Sequence, residues 1–414
     1  MLATCTTTLW SLDLLASSRE RVQRGELQSP LRSLLSQADL WLARSTQTPL
    51  FTVTTKPAVP SRSFNCSQHC FYSLGTYWWP NNATADGLPY VRRDGLVNPE
   101  TFEFDSIPLS QMLFALSNLS LAYYFTHNSS FAAGAANFAD AFFLDAATRM
   151  DPDEGLEHAQ AIPGKGADDE GRGTGIIDAK DLAFALDSSC LLAGATAWGE
   201  ARAEGLRDWA RRYWGWMNHS AHARDEFASR NNHGTWYGVQ ALSLTLHLGE
   251  REASAFFARD TLRRVAEQVR PNGSLPLELA RTRPLHYTWW DLQAFFELAW
   301  MATSVGIDAF GYVAPGGGSL RTALEWVLPY ATGERNYSKP EVTPFDHGKF
   351  FQVLRVASRV WPDGAARYEA AIPRLKPGKV DYDGSALNLL WPRVGSTLGR
   401  LVAHARASTS SVPR

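Results

Sequence analysis

A chain of 414 residues is long enough to bury a large core. Its 45% hydrophobic and 20% charged residues are ordinary globular composition, which excludes a disordered chain. A formal net charge of -2 excludes the global basic field of a nucleic-acid binder, although a local basic cleft can hide inside a neutral total. No apolar run is long enough to span a bilayer.

The N-terminal stretch "MLATCTTTLWSLDLLASS" is mildly apolar, lacks a basic segment and carries Asp13, so it does not read as a signal peptide. Secretion is nevertheless expected from another feature. Asn65, Asn82, Asn118, Asn128, Asn218, Asn272 and Asn336 each open an N-x-S/T sequon, seven of the thirteen asparagines, which points to a secreted glycoprotein carrying N-glycans. Cys66 and Cys70 in "NCSQHC" are close enough to bridge in an oxidising compartment. A zinc site built on Cys66, His69 and Cys70 lacks further ligands, and Cys190 in "SSCLLAGA" reads as a buried thiol.

From about residue 105 onward the pattern is helical. Apolar residues recur at three- and four-residue intervals in "SQMLFALSNLSLAYYF" and "FAAGAANFADAFFLDAATRM", and again in "DAKDLAFALDSSCLLAGATAWG". Six more such segments follow, from "ARAEGLRDWARRYWGWM" to "GKFFQVLRVASRVW". Asp178 and Ser319 are expected helix starts, and Gly249 and Gly306 expected stops. No segment sustains a two-residue alternation, so a large sheet is excluded. Helices joined by short turns pack as antiparallel pairs. The expected fold is therefore all-α, one domain over residues 1–414, an array of helix pairs closed or partly closed into a toroid. Two long polar loops, roughly 60–104 and 150–177, are where a site would be built.

Two segments carry concentrated chemistry. "SRNNHGTWYGVQ" offers Asn231, Asn232, His233 and Tyr237, and "LPLELARTRPLHYTWWDLQAF" offers Arg281, Arg283, His286 and Tyr287. His233 and Tyr287 both lie near a helix start. The set contains no paired carboxylates, no metal cluster and no serine nucleophile motif. It suits removal of a proton next to a carboxylate: amide, imidazole and guanidinium donors neutralise the carboxylate, and a tyrosine near positive charge takes the proton. The same phenol then returns a proton to the leaving oxygen, which is β-elimination in a uronic-acid polysaccharide.

"NNHGTWY", "ELARTRPLHYT", "SLGTYWWPNNATADGLPYVRRDGLVNPE" and "HAQAIPGKGADDEGRGTGIID" together resemble the alginate lyase superfamily of polysaccharide lyases. The matching segments run in family order from Phe71 to Phe295. The "YWWP…DGLPYVRRDG" version resembles the branch that contains glucuronan lyases. The resemblance implies an α/α toroid and eliminative cleavage of 1,4-linked uronans, with no cofactor and no metal. It implies that Asn232 and His233 contact the substrate carboxylate, that Arg281 assists, and that Tyr287 is base and acid. His233 would be the opposing base for substrates that need anti elimination. The chain departs from many bacterial relatives after His69, where Cys70 replaces an acidic residue.

Around these four, Asn231 is either a helix cap or a ligand, and Tyr237 either faces the site or packs. Trp78 and Trp79 in "TYWWPNN" form either a stacking platform for sugars or an aromatic loop pinned to the core. Of Arg92 and Arg93, at most one faces a polyanion. Gln160 is a binding residue on the resemblance, or else stabilises its loop. "GKGADDEGRGTG" lacks the spacing of a phosphate loop, and Asp346 beside His347 reads as a helix start. The expected partner is an acidic polysaccharide substrate and the expected state a monomer, with neither nucleic acid nor membrane involved. A glycoside hydrolase using Asp168, Asp169 or Glu170, or a polysaccharide-binding protein without turnover, are the alternatives.

Overall fold

The computed structural model describes residues 7–48, 50–60, 66–375 and 386–393. Helices dominate. In chain order come α1 (Leu12–Gln23) and α2 (Gln28–Arg44), then strands β1 (Tyr72–Leu74), β2 (Trp78–Trp79) and β3 (Val91–Arg92). Next are α3 (Ser106–Thr126), α4 (Ser129–Ala139), β4 (His158–Ala161), α5 (Leu182–Leu191) and α6 (Glu200–His219). They are followed by α7 (Ala221–Ala228), α8 (Asn232–Leu248), α9 (Arg251–Gln268), α10 (Pro276–Leu279) and α11 (Pro284–Thr303). The last are α12 (Leu320–Ala331), α13 (Phe350–Val360), α14 (Ala365–Ala371) and α15 (Leu387–Leu390). Among the described residues no helix is long and apolar enough to cross a membrane. Contacts divide the chain into two compact units, Met1–Leu9 with Leu35–Phe257, and Trp10–Leu34 with Ala258–Arg414.

In the first unit, α3 and α4 form a hairpin. His127 ends α3 in the left-handed region at φ 54°, and the Asn128 side chain caps α4 by accepting from Ser130 N–H. α3 and α8 are buried over most of their circumference because both are apolar nearly all round, the mark of central helices. α5 packs on both, and α6 and α7 pack on α8. After Ala139 the chain makes a π-helical turn, Asp140–Leu144. The two long loops have a small core of their own, Tyr72, Leu74, Tyr90, Phe104, Ala161 and Ile162. Over it β1 pairs parallel with β4, and β2 pairs antiparallel with β3. These short ladders are all the sheet among the described residues, in keeping with the expected all-α class.

The second unit is centred on α11, which packs on α10, α12 and α13. Phe295, Leu292, Leu324, Leu354 and Phe351 are fully buried there. Ser319 starts α12 with a reciprocal capping box to Thr322, worth about 1 kcal/mol. Gly249, the expected stop of α8, sits at φ 80°, a conformation a side chain would strain.

Several expectations need correction. Asp178 caps nothing: α5 starts four residues later, after a 3-10 stretch, and the Asp178 carboxylate accepts from Ser73 and Gln160. Cys190 is disulfide-bonded rather than a free buried thiol. Cys66 and Cys70 are bridged to each other, which removes both sulfurs from any zinc set. Asn118 faces the interior of α3, its amide donating to Phe114 O, so this sequon is closed to a glycan. Asn82, Asn128, Asn218, Asn272 and Asn336 are exposed, and Asn65 lies outside the described residues.

Candidate active site

The first unit places His233 in the opening turn of α8. The chain leaves α7 at Ser229 in an extended conformation and re-enters helix after Asn231, so residues 232 and 233 ride on the first turn of α8. Glu226, in the last turn of α7, is completely buried, and its Oε1 lies 2.8 Å from His233 Nδ1. A carboxylate only accepts, so Nδ1 carries the proton and the Glu226 contact fixes the orientation of the imidazole. Asn231 occupies the N-cap position, yet its side chain makes no capping bond. Asn232 is buried at 1% exposure. Tyr237, in contrast, is spent on packing: its hydroxyl donates to Met217 O at 2.8 Å and its ring meets Phe227 edge-on.

Gln160 lies in a polar network beside this turn. Its backbone is left-handed at φ 50°, uncommon for a residue with a side chain. Every polar group it has is used. Its N–H donates to Ser73 Oγ and its amide donates to Asp178 Oδ1, while its Oε1 and backbone O both accept from Arg172. This geometry makes Gln160 a loop-holding residue. Burial pushes the Asp178 carboxyl up, and the bonds from Gln160 and Ser73, then the charges of Arg172 and His233, pull it back down. Burial likewise lowers Arg172, with Asp168 the largest opposing charge. The Gly-rich run is there for close packing. A Cβ on Gly171, at φ 148°, would stand 2.0 Å from Glu157 O, and one on Gly175 would stand 2.4 Å from Ala159 Cβ.

The two tryptophans part company. Trp79 is pinned, its indole donating to Leu96 O at 3.0 Å with Arg93 stacked over the ring at 4.9 Å. Trp78 is half-buried with the Lys165 ammonium 5.2 Å from its ring centroid. Arg92 pairs across the ladder with Trp78, is exposed, and holds Asp94 at 2.8 Å. Arg92 also acts electrostatically on Arg172. Trp78, Arg92, Lys165 and Arg172 thus gather positive charge around one indole.

The second unit places Tyr287 in the first turn of α11, buried at 5% exposure. Arg281 folds over it: Nη2 donates to the phenol oxygen at 2.8 Å, and Cζ lies 3.8 Å from the ring centroid. Pro284 opens the helix without needing an N–H partner. The next two backbone N–H groups, of Leu285 and His286, donate to Glu341 Oε1 at 2.6 and 3.3 Å. Glu341 arrives on a strap, residues 333–346, tied down by Val342 N–H to Thr282 O and Lys339 Nζ to Ala280 O. His286 is held down to about 3, by burial first and then by the Arg283, Lys349 and Arg281 charges. It is therefore neutral, which agrees with its Nδ1 facing the donor Arg283 Nη2 at 3.3 Å.

Sequence reasoning missed Glu226, Arg172, Lys165 and Glu341. Glu226 stands beside Asp225 in "ARDEFA", and only burial tells the two apart. Asp169 and Asp168 do not form a hydrolase pair. Asp169 accepts from Gly164 N–H and is buried, and the three acids form one 3-10 turn and its end.

The alginate lyase family model matches residues 53–337, well over half the chain. A crystal structure of an alginate lyase from Bacteroides ovatus superposes with a TM-score of 0.85 at 30% identity, covering 94% of this chain and 99% of that one. Alginate lyase A1-III from Sphingomonas species A1 superposes at 0.57 with 17% identity, covering 94% and 97%. A histidine variant of A1-III complexed with a tetrasaccharide superposes at 0.59 with 18% identity, covering 95% and 98%. No curated protein matches the chain. Fold and site together define an all-α polysaccharide lyase. The chain belongs to the alginate lyase family.

Proposed function

We propose that the protein cleaves a 1,4-linked uronan, glucuronan or a mannuronate-rich alginate, by metal-independent β-elimination. The observation that carries this reading is the 2.8 Å bond from Arg281 to the Tyr287 oxygen. A guanidinium donating to a phenol stabilises negative charge on that oxygen, which is what a tyrosine base requires. Asn232 and His233 neutralise the uronate carboxylate, with Glu226 fixing the orientation of the imidazole. Tyr287 then takes the proton from carbon 5. The electron pair of that C–H bond forms the double bond between carbons 4 and 5, and the bond from carbon 4 to the bridging oxygen breaks. The same phenol protonates the departing oxygen. Mannuronate and glucuronate share the carbon-5 configuration that lets one tyrosine do both jobs. For substrates of the other configuration, His233 is the opposing base.

Trp78, Arg92, Lys165 and Arg172 supply an aromatic face and positive charge for neighbouring sugars of the polyanion. Five exposed sequons and a disulfide at Cys66–Cys70 support secretion as a glycoprotein. Incubation with glucuronan and alginates of different composition tests the function. Unsaturated products signal a lyase, and new reducing ends without unsaturation would signal a hydrolase instead.

A further inference from the structure

A polar cavity lies in the first unit, lined by none of the residues given roles above. Its volume is about 430 Å³, within the range of roughly 300–1,000 Å³ that holds small ligands. It opens where α4 runs into the π-helical turn, and π-helical turns are frequent at functional sites. Its walls include Asp140, Arg149, Arg202, Asp208, Trp209 and Arg212.

The three guanidiniums are not equivalent. Arg202 is clamped by Asp140, through Nε to Oδ1 at 2.8 Å and Nη2 to Oδ2 at 2.7 Å, and its Nη1 donates to Ala197 O. Arg212 is clamped by Asp153, at 3.0 and 2.5 Å. Arg149 is half-buried, its guanidinium donates no hydrogen bond among the described residues, and its charge acts on the Asp153 carboxylate that Arg212 holds. Holding a long side chain there with its donors unspent leaves a ready fork for a carboxylate. Asp140 and Asp208 bring acceptors suited to hydroxyl groups. Trp209, whose indole is fixed to Met150 O, and Phe143 give the cavity an apolar floor. A carboxylate fork, hydroxyl acceptors and an aromatic floor are together the demands of one uronate sugar.

The geometry points to a non-catalytic anchoring site for a uronate residue of the polymer, with Arg149 taking its carboxylate. This rests on the uronan reading above. Such a site raises the local concentration of long chains at the enzyme and does nothing for chains too short to reach both places.

Arg149→Ala removes the fork without breaking a hydrogen bond among the described residues and leaves Arg212 on Asp153, so the fold is expected to survive, with a nearly unchanged melting temperature. Kinetics on polymeric uronan should then show KM raised about fivefold to tenfold with kcat unchanged, while short oligosaccharides are cleaved as before. Calorimetric titration of Tyr287→Phe with a uronate trisaccharide should find two sites, and adding Arg149→Ala should remove one. A neutral trisaccharide of the same length should leave the cavity empty. Unchanged polymer KM in Arg149→Ala, one site in both titrations, or equal binding of the neutral sugar would overturn the inference. If the protein cleaves no uronan, the functional reading fails instead, and the calorimetry still decides the cavity: a uronate site lost with Arg149→Ala supports it, and no such site overturns it.

Discussion

The starts of α8 and α11 each present candidate chemistry in a first helical turn, but they are built differently. His233 is held by Glu226, seven residues earlier on the helix just before it, so its support is local in sequence. Tyr287 is on a helix whose free N–H groups are satisfied by Glu341, more than fifty residues later. The first support sets which nitrogen of an imidazole carries a proton. The second sets where a phenol stands. A carboxylate therefore serves chemistry in one case and geometry in the other, and the two should fail differently.

Arg281→Ala should separate them most sharply. Losing the donor to the phenol oxygen is expected to lower kcat about 10²–10³-fold with little change in substrate binding, measured by steady-state kinetics. A rise in KM with kcat intact would move Arg281 from proton transfer to binding. Glu226→Gln comes next. A Gln amide carries no charge and can turn its NH2 to the ring, so it no longer fixes the tautomer, and a misoriented imidazole can cost up to about 10²-fold in kcat. The pH profile should shift as well, whereas a purely structural Glu226 would lower thermal stability and leave the profile in place.

Glu341→Gln should cost less. The amide oxygen still accepts from Leu285 and His286, so kcat should fall only a few-fold. Glu341→Ala should lose about 1 kcal/mol of cap stability together with kcat. Equal kcat in both variants would contradict a positioning role. The last effect is one of stability rather than turnover. His286 has a folded value of about 3 against an ordinary 6.5. The native state binds fewer protons between those values, so the stability this neutral ring confers is present above pH 6.5 and is lost as pH falls toward 3. Urea midpoints across that window should drop with falling pH, and His286→Phe should flatten the drop; parallel slopes would contradict it.

Much of this was legible in the chain. The long helices announced themselves by periodicity, and Ser319 and Gly249 punctuated α12 and α8 as capping chemistry dictates. The two site segments were visible because their polar side chains interrupt apolar runs. What stayed hidden depends on tertiary contact. α1 and α2 lie before the stretch in which the helical pattern is read, although their apolar stripes are as marked as those of α6 and α9, and α7 is only two turns long. Asp178 looks like a cap because nothing in its neighbours shows that Ser73 and Gln160 claim its carboxylate. Asn231 takes the N-cap position as expected but leaves its amide unused on the helix. Trp78 and Trp79 are adjacent and identical in sequence, and only their tertiary partners tell them apart: the loop core and Lys165 for Trp78, the Leu96 carbonyl and Arg93 for Trp79.

The central claim is that Tyr287 moves the proton in an elimination, and the ultraviolet absorbance of the new double bond reads it directly. Wild-type protein and Tyr287→Phe, matched for folding by circular dichroism, should be given glucuronan, polymannuronate and polyguluronate. Absorbance should rise on at least one polymer with the wild type and stay flat with Tyr287→Phe, which should still bind that polymer. A folded wild type that raises no absorbance on any uronan, or a Tyr287→Phe protein that keeps its rate, would contradict the account.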